Sequence, residues 1–303
     1  MKLEDVRELV PELRALTTSD VLISGGEPLL NREWLEISDL LRDRGFNLWL
    51  LTSGLSLAKH ADQVAARFKT VTVSIDGTNA ETYERIRGVN AFEKVCSGIR
   101  AISELGVPTT VRVTLQRANY RELSGFVALA HELGAVEVSF LAVDVGNAHA
   151  FSRVGDYSSD LALNADDVTE FRELVDELVD VYEEKFTSRF IAESPEKLRR
   201  ISDYFAALCD LGKFPEVRCN APEFSAVIGA RGAVSPCFFI SGPPSAPRAP
   251  SLRAALDCNS MRSLRAAIRD GQRTECERCV CSMWREPAEM TTKDFVFAGV
   301  RNA

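Results

Sequence analysis

The sequence predicts an α/β fold in which a parallel sheet forms a full or partial TIM-like β/α barrel, followed by a small cysteine-rich region. Five short, apolar, β-branched segments occur in the first half of the chain, and each is followed by a helical pattern. Glycine or polar residues stand at the carboxyl ends of these segments, where β/α barrels carry their chemistry. Six of the eight cysteines lie in the last third of the chain.

The predicted elements alternate regularly along the first half. A Rossmann sheet would alternate in the same way, but five consecutive strands with polar or glycine-rich ends favour a barrel. Predicted helices cover 4–16, 33–44, 58–68 and 120–133, a broken helical stretch runs up to 105, and predicted strands cover 20–24, 47–52, 70–75, 109–115 and 135–141.

The second half has a different organisation. Residues 144–165 are predicted to be a loop, and apolar spacing predicts helices at 166–186 and 195–211. The proline-rich stretch 241–250 is predicted to be an exposed excursion. The chain is therefore predicted to divide into a barrel core at 1–145, a helical extension at 146–215 and an auxiliary domain at 216–303.

The composition narrows the class of protein. The 303 residues carry 36 basic and 44 acidic side chains, a net charge of −8, which argues against a nucleic-acid partner. No apolar run approaches the ~20 residues of a membrane span, so no membrane association is expected. The acidic, amphipathic start of the chain does not have the pattern of a signal peptide, and we expect a cytoplasmic location.

The end of the first predicted strand, Ser24-Gly25-Gly26-Glu27-Pro28, is the most informative segment of this half. Two glycines allow a ligand to approach the backbone, and the glutamate offers a carboxylate to an amino group. Alone, a glycine pair here is usually only a turn. Further polar segments follow at Thr52-Ser53-Gly54, Ser74-Ile75-Asp76-Gly77, Arg85-Ile86-Arg87-Gly88 and Val113-Thr114, with Asn119 beyond.

This ordered series resembles the radical-SAM superfamily, specifically its branch with SPASM or twitch auxiliary domains. The family elements GGEP, TNG, S-[LI]-DG, RG-x₃-F and V-x-N stand here as SGGEP, TSG, SIDG, RGVNAF and VTLQRAN. Ser53 departs from the asparagine that is usual in the family. The resemblance covers residues 3–145 and 217–284, and it implies a partial (β/α)6 barrel whose first strand is missing.

The resemblance also implies S-adenosylmethionine (SAM) bound across the mouth of the barrel. Gly25, Gly26 and Glu27 would meet its methionyl amino group. Ser74 and Asp76 would contact its carboxylate or ribose, with Thr52 nearby. The alternative for Ser74 and Asp76 is a plain structural role as helix caps.

The defining loop of that family, C-x₃-C-x₂-C, is absent from the sequence. In the family its thiolates hold a [4Fe–4S] cluster that binds SAM and drives its reductive cleavage to a 5′-deoxyadenosyl radical. Only 24 residues precede Gly25, none of them cysteine, and Cys96 lies in an apolar helical pattern that predicts burial. Translation from an internal Met1, a degenerate family member, or a loop supplied in trans would each explain this. The 303-residue chain is expected not to cleave SAM.

The cysteines of the last third predict a metal centre. Cys219 and Cys237 form C-x₁₂-G-x₄-C around a predicted hairpin with Gly229 and Gly232 at its turn. Cys276, Cys279 and Cys281 follow as C-x₂-C-x-C. Four thiolates suit a [4Fe–4S] cluster, and they suit zinc equally well.

This half resembles the SPASM domain, in a shortened form that implies one auxiliary [4Fe–4S] cluster. The expected ligands are Cys219, Cys237, Cys276 and Cys279, with Cys281 as a spare or as a replacement for Cys279. Cys209 is predicted to pack in a helix, and Cys258 to be an isolated thiol.

The resemblance implies an iron–sulfur oxidoreductase that modifies a peptide or protein by SAM radical chemistry in its complete form, as do the family's makers of ribosomally synthesised, modified peptides. A reductant such as ferredoxin or flavodoxin would be its partner. The alternative is a non-catalytic barrel that binds a peptide or nucleotide and keeps one structural iron–sulfur or zinc site. Genomic DNA upstream of Met1 discriminates between them, since an in-frame cysteine loop supports the enzyme and a stop codon supports the scaffold.

Overall fold

A computed structural model describes residues 1–146, 158–242 and 251–286. Its centre is a parallel sheet in which strand order follows chain order, from β1 to β5, as predicted. The strands are β1 Asp20–Ile23, β2 Asn47–Thr52, β3 Thr70–Ser74, β4 Thr109–Leu115 and β5 Glu137–Ala142. The helices are α1 Leu3–Ala15, α2 Trp34–Asp43, α3 Ala61–Ala65, α4 Ala80–Arg87, α5 Phe92–Glu104, α6 Leu123–Glu132, α7 Ser158–Leu161, α8 Ala165–Val181, α9 Glu183–Thr187, α10 Pro195–Leu208, α11 Ala221–Phe224, α12 Leu252–Asp257, α13 Asn259–Arg269 and α14 Thr274–Glu277.

The sheet has an apolar outer face and a polar inner face, because side chains alternate along each strand. Val73 and Val113 are fully buried on the outer face, in one core with Val95 and Ile99 of α5. Burying such side chains contributes roughly 1.5–3 kcal/mol each. The alternate residues of β3, β4 and β5 form the inner face, which we define as Thr72, Ser74, Thr110, Arg112, Glu137 and Ser139.

A sixth extended segment continues the sheet beyond β5. The N–H of Val138 donates to the carbonyl of Phe190 at 2.7 Å, and the N–H of Ala192 donates to the carbonyl of Val138 at 2.9 Å. Ile191 thereby pairs in parallel with Val138. The sequence did not predict this edge.

Three predicted elements differ in the structure. The helix predicted at 58–68 is a 3₁₀ turn, Ala58–His60, followed by the short α3. The helix predicted at 166–186 breaks at Tyr182, whose backbone leaves the helical region, into α8 and α9. The predicted loop 144–165 contains α7, and its residues 147–157 lie outside the described part of the chain, as do 243–250 of the proline-rich stretch.

The predicted cysteine-rich hairpin is present. Strands β6, Val227–Ile228, and β7, Val234–Ser235, pair antiparallel, and the N–H of Gly229 donates to the carbonyl of Ala233 at 2.8 Å. A small second core joins this region to the first helix. It contains Val234, Leu252, Ala255 and Met261, packed against Leu13 and Leu16.

Within the ranges given above, no helix combines the length and apolar character needed to cross a membrane.

Candidate functional site

The segment that follows β1 exposes its backbone. Gly25 has φ +138°, a conformation that side chains rarely adopt. A Cβ built on Gly25 or on Gly26 meets no atom within 4 Å. The peptide groups of these two residues therefore lie open to a ligand.

Glu27 ties the ends of β1 and β2 together. Its carboxylate accepts hydrogen bonds from the Thr52 hydroxyl at 2.8 and 2.9 Å, and from the Ser53 N–H at 2.8 Å. The Ser53 hydroxyl and the Leu29 N–H also donate to it. Both oxygens are thus engaged by protein donors, which leaves the Gly25 and Gly26 backbone as the accessible part of this segment. Ser53 supplies two of the donors at the position where it departs from the family pattern.

Asp76 makes the corresponding connection between β3 and β4. Its buried carboxylate pairs with the Arg87 guanidinium at 2.8 Å and accepts from the Thr114 N–H at 2.8 Å. The Asn119 amide donates to the carbonyls of Asp76 and Thr114 at 2.9 and 3.0 Å. Burial raises the pKa of Asp76, and Arg87 opposes that rise. Arg87 and Asn119 had no predicted role, although both lie in the motifs quoted above.

Ser74 ends β3 on the inner face, half-buried and opposite Arg112 in the strand register. The capping alternative for Ser74 and Asp76 is wrong, because Asn79 caps α4 by accepting from the Thr82 N–H at 3.0 Å.

The cysteines are drawn together by a second set of hydrogen bonds, which centres on Asn220. Its N–H donates to the Met283 carbonyl at 2.9 Å, and its amide group exchanges hydrogen bonds of 2.7 and 2.9 Å with the Arg285 backbone. This holds the segment after Cys281 beside Cys219. The hairpin supplies Cys237, which forms an antiparallel bridge with Ile240.

The five cysteines of this region interact electrostatically as one group. The negative charges of the Cys219 and Cys237 thiolates would both raise the pKa of Cys276 and of Cys279. The charge of Cys219 would also raise the pKa of Cys281. Burial is the main cause of the raised pKa of Cys237, Cys276, Cys279 and Cys281, and it raises the pKa of Cys276 to about 11. In residues 1–146, 158–242 and 251–286, no three His, Cys, Asp or Glu side chains surround one point closely enough to hold a single ion. As a donor set, these half-buried thiols fit an iron–sulfur cluster, whose ligands are cysteine thiolates.

The remaining cysteines lie apart from this group. Cys96 is buried in α5, as predicted, and burial raises its pKa to about 11. Cys209 follows α10, and its thiol donates to the Leu163 carbonyl at 3.2 Å. Cys258 lies at the start of α13 beside the Ser260 hydroxyl.

The comparison with family sequences rests on the first half of the chain. The profile of the Radical SAM superfamily matches residues 1–130. Residues 1–130 form a radical SAM domain.

Curated relatives of this radical SAM domain differ in their chemistry. The AdoMet-dependent heme synthase of Methanosarcina barkeri is 32% identical over 136 residues, which are 44% of this chain and 39% of that protein. The probable GTP 3′,8-cyclase of Saccharolobus islandicus is 30% identical over 141 residues, or 46% of each chain. The chain thus matches less than half the length of these relatives.

Solved structures share the fold over most of the chain. The anSMEcpe structure with bound AdoMet and the Cp18Cys peptide has a TM-score of 0.63 at 17% identity, covering 92% of this chain and 78% of that one. Streptococcus suis SuiB bound to S-adenosylmethionine has a TM-score of 0.59 at 14% identity, covering 88% and 60%. The predicted α/β fold with a parallel five-stranded sheet is therefore confirmed.

Two buried carboxylates at or beside the inner face, Glu137 and Glu193, had no predicted role. Glu193 accepts from the Ser139 hydroxyl at 2.8 Å and the Phe140 N–H at 2.7 Å, and Lys197 lies 3.7 Å from it. Glu137 accepts from the Thr110 hydroxyl at 3.1 Å. Burial, together with the charge of Glu193, raises the pKa of Glu137 to about 8.

Gly77→Ala tests the packing that supports the Asp76 turn. A Cβ on Gly77 would lie 2.4 Å from the Tyr83 backbone nitrogen. Because backbone cannot yield as a side chain does, we expect the free energy of unfolding to fall by roughly 1–3 kcal/mol in urea denaturation. The matched variant Gly26→Ala, whose Cβ meets nothing, should leave stability nearly unchanged. Equal effects of the two variants would contradict this geometry.

Glu137→Gln tests the buried acid. Its folded pKa of about 8 exceeds the ordinary 4.5, so the folded state keeps a proton that the unfolded state has released. The associated stability is complete below pH 4.5 and is lost as pH rises to about 8. Between pH 5.5 and 7.5 the wild type should lose roughly 2 kcal/mol more than Glu137→Gln in urea unfolding. The exposed control Glu132→Gln should behave as wild type, and identical pH dependence in all three proteins would refute the assignment.

Proposed function

We propose that the ends of β1, β2 and β3 bind SAM. The observation that carries this proposal is the set of hydrogen bonds that the Glu27 carboxylate accepts from Thr52 and Ser53. These bonds hold the ends of β1 and β2 together, while the backbone of Gly25 and Gly26 stays open. The radical SAM domain at 1–130 supports it, as do the solved neighbours described with bound AdoMet, which is SAM.

The predicted ligand contacts then fall into two groups. The backbone of Gly25 and Gly26 would meet the methionyl amino group, and the half-buried Ser74 would offer its hydroxyl. Glu27, Thr52 and Asp76 would act mainly by fixing the strand ends, since their polar atoms are engaged within the protein.

For the cysteine-rich region we propose one auxiliary [4Fe–4S] cluster. Cys219, Cys237 and Cys276 would be ligands, with Cys279 or Cys281 as the fourth. The common electrostatic environment of these sulfurs supports this set. When bound, such a cluster supplies one-electron redox chemistry.

The complete protein, in our proposal, is an iron–sulfur oxidoreductase that modifies a peptide or protein. Two solved neighbours are described with peptides, Cp18Cys for anSMEcpe and the precursor SuiA for SuiB. We further propose ferredoxin or flavodoxin as reductant and a cytoplasmic location. The 303 residues contain no C-x₃-C-x₂-C motif, so they would bind SAM without cleaving it.

Equilibrium dialysis with labelled SAM tests the proposed cofactor site. The chain should bind SAM, and Gly26→Ala should weaken binding roughly tenfold, because a Cβ would occupy ligand space. Gly212→Ala is the control, since its Cβ also meets no atom within 4 Å. Equal affinity in both variants, or no binding by the wild type, would refute the site.

Under reducing conditions the wild-type chain should release no 5′-deoxyadenosine, and its formation would show that the catalytic ligands are misplaced.

Metal analysis tests the cluster. After anaerobic reconstitution with iron and sulfide, we expect about four iron atoms per chain. Cys219→Ala and Cys237→Ala should lose most of this iron, because each removes a ligand, whereas Cys258→Ala should keep it. Comparing Cys279→Ala with Cys281→Ala identifies the fourth ligand. Stoichiometric zinc without iron would instead support the structural metal site of a non-catalytic scaffold.

A further inference from the structure

Arg112 is a cation of the inner face that forms no ion pair. It lies at the centre of β4, between Ser74 of β3 and Ser139 of β5 in the strand register. Its Nε atom is buried and has no hydrogen-bond partner. Across residues 1–146, 158–242 and 251–286, no carboxylate pairs with its guanidinium. A buried charged donor without a partner is costly, unless a ligand completes it.

The two buried carboxylates of this region have other partners. Glu193 accepts a hydrogen bond from the Ser139 hydroxyl at 2.8 Å. Glu137 accepts from the Thr110 hydroxyl at 3.1 Å, and burial raises its pKa to about 8, so it is largely protonated at neutral pH. The protein itself therefore leaves the positive charge of Arg112 without a matching carboxylate.

The inner face opens toward a ligand at the level of Arg112. Thr110, Glu137 and Ser139 are buried, whereas Arg112 and Ser74 are only half-buried. Ser74 stands opposite Arg112 on the adjacent strand, and neighbouring strands lie about 4.8 Å apart. The Ser74 hydroxyl and the Arg112 guanidinium are therefore neighbours on one accessible surface.

We propose that Arg112 binds the methionyl carboxylate of SAM, with the Ser74 hydroxyl as a second donor. A guanidinium matches a carboxylate with two parallel N–H donors, and the buried Nε of Arg112 supplies one of them. The inference rests on the proposed function, because it requires SAM at the strand ends. It adds to that site a residue outside the motifs quoted above.

The other charged side chains at this end of the sheet do not suit the carboxylate. Arg87 lies near the end of β3, but it already pairs with Asp76 at 2.8 Å. Glu27 and Asp76 are themselves acids and would repel a ligand carboxylate. Arg112 has no such partner, so its charge is available to the ligand.

Equilibrium dialysis with SAM and with decarboxylated SAM tests the inference, because the two ligands differ only in the carboxylate. The wild-type chain should bind SAM roughly tenfold more tightly. Arg112→Gln should weaken SAM binding roughly tenfold without weakening the binding of decarboxylated SAM. Arg112→Lys should keep part of the preference for SAM, because it keeps the charge but not the two parallel donors.

Two controls separate a carboxylate contact from a general defect. Gly26→Ala should weaken both ligands by the same factor, because both carry the amino group that this backbone would meet. Arg100→Gln should change neither affinity, because Arg100 pairs with Glu132 at the exposed surface of α5.

Equal losses for both ligands in Arg112→Gln, or no loss for either, would overturn the inference and leave the SAM site in place. If Arg112→Gln does not fold, the Nε–H resonance of Arg112 in the wild type decides. SAM should shift this signal and decarboxylated SAM should not, and a signal that SAM leaves unmoved overturns the inference. A wild-type chain that binds neither ligand overturns the proposed function itself, and this inference with it.

Discussion

The hydrogen bonds of one carboxylate, that of Glu27, hold together the end of the sheet on which the rest of the candidate site depends. Adjacent parallel strands end side by side, but nothing in the ladder fixes the loops that leave them. Glu27 supplies that constraint by accepting from Thr52 and Ser53 of the neighbouring strand. Because the Glu27 carboxylate accepts its hydrogen bonds from within the protein, the backbone of the two preceding glycines stays exposed. Asp76 repeats the arrangement one strand pair further on, with Arg87 and the Thr114 N–H as donors.

The cysteine-rich region is also held together by the hydrogen bonds of one side chain, that of Asn220. Asn220 brings two distant segments together, and half-buried thiols lie near Cys219 as a result. Burial raises the pKa values of four of them, Cys237, Cys276, Cys279 and Cys281, which makes ionisation costly without a compensating charge. A bound metal centre would provide that charge, because coordinated thiols are deprotonated.

Much of the fold follows from the sequence. The five strands were predictable because their β-branched runs and crossover helices have clear periods, and the hairpin because Gly229 and Gly232 bracket its turn. The edge segment Phe190–Ala192 was not predictable, because three residues are too few to show a period. Its pairing with Val138 depends on contacts between segments that are distant in sequence. The motifs located the strand ends correctly. They could not show that the carboxylate oxygens of Glu27 and Asp76 accept hydrogen bonds within the protein, since most of the donors lie on another strand or on helix α4.

The missed inner-face charges carried a weak signal. Arg112 and Glu137 are charged residues within otherwise apolar strands, which indicates a polar face, but Glu193 binds Ser139 from 54 residues further along the chain. Resonance assignments and a SAM titration followed by ¹H–¹⁵N correlation NMR test the central claim most directly. The account predicts that the largest shifts fall on the amides of Gly25, Gly26 and Ser53, with smaller ones at Ser74. Shifts confined to other surfaces, with these amides unmoved, would contradict it.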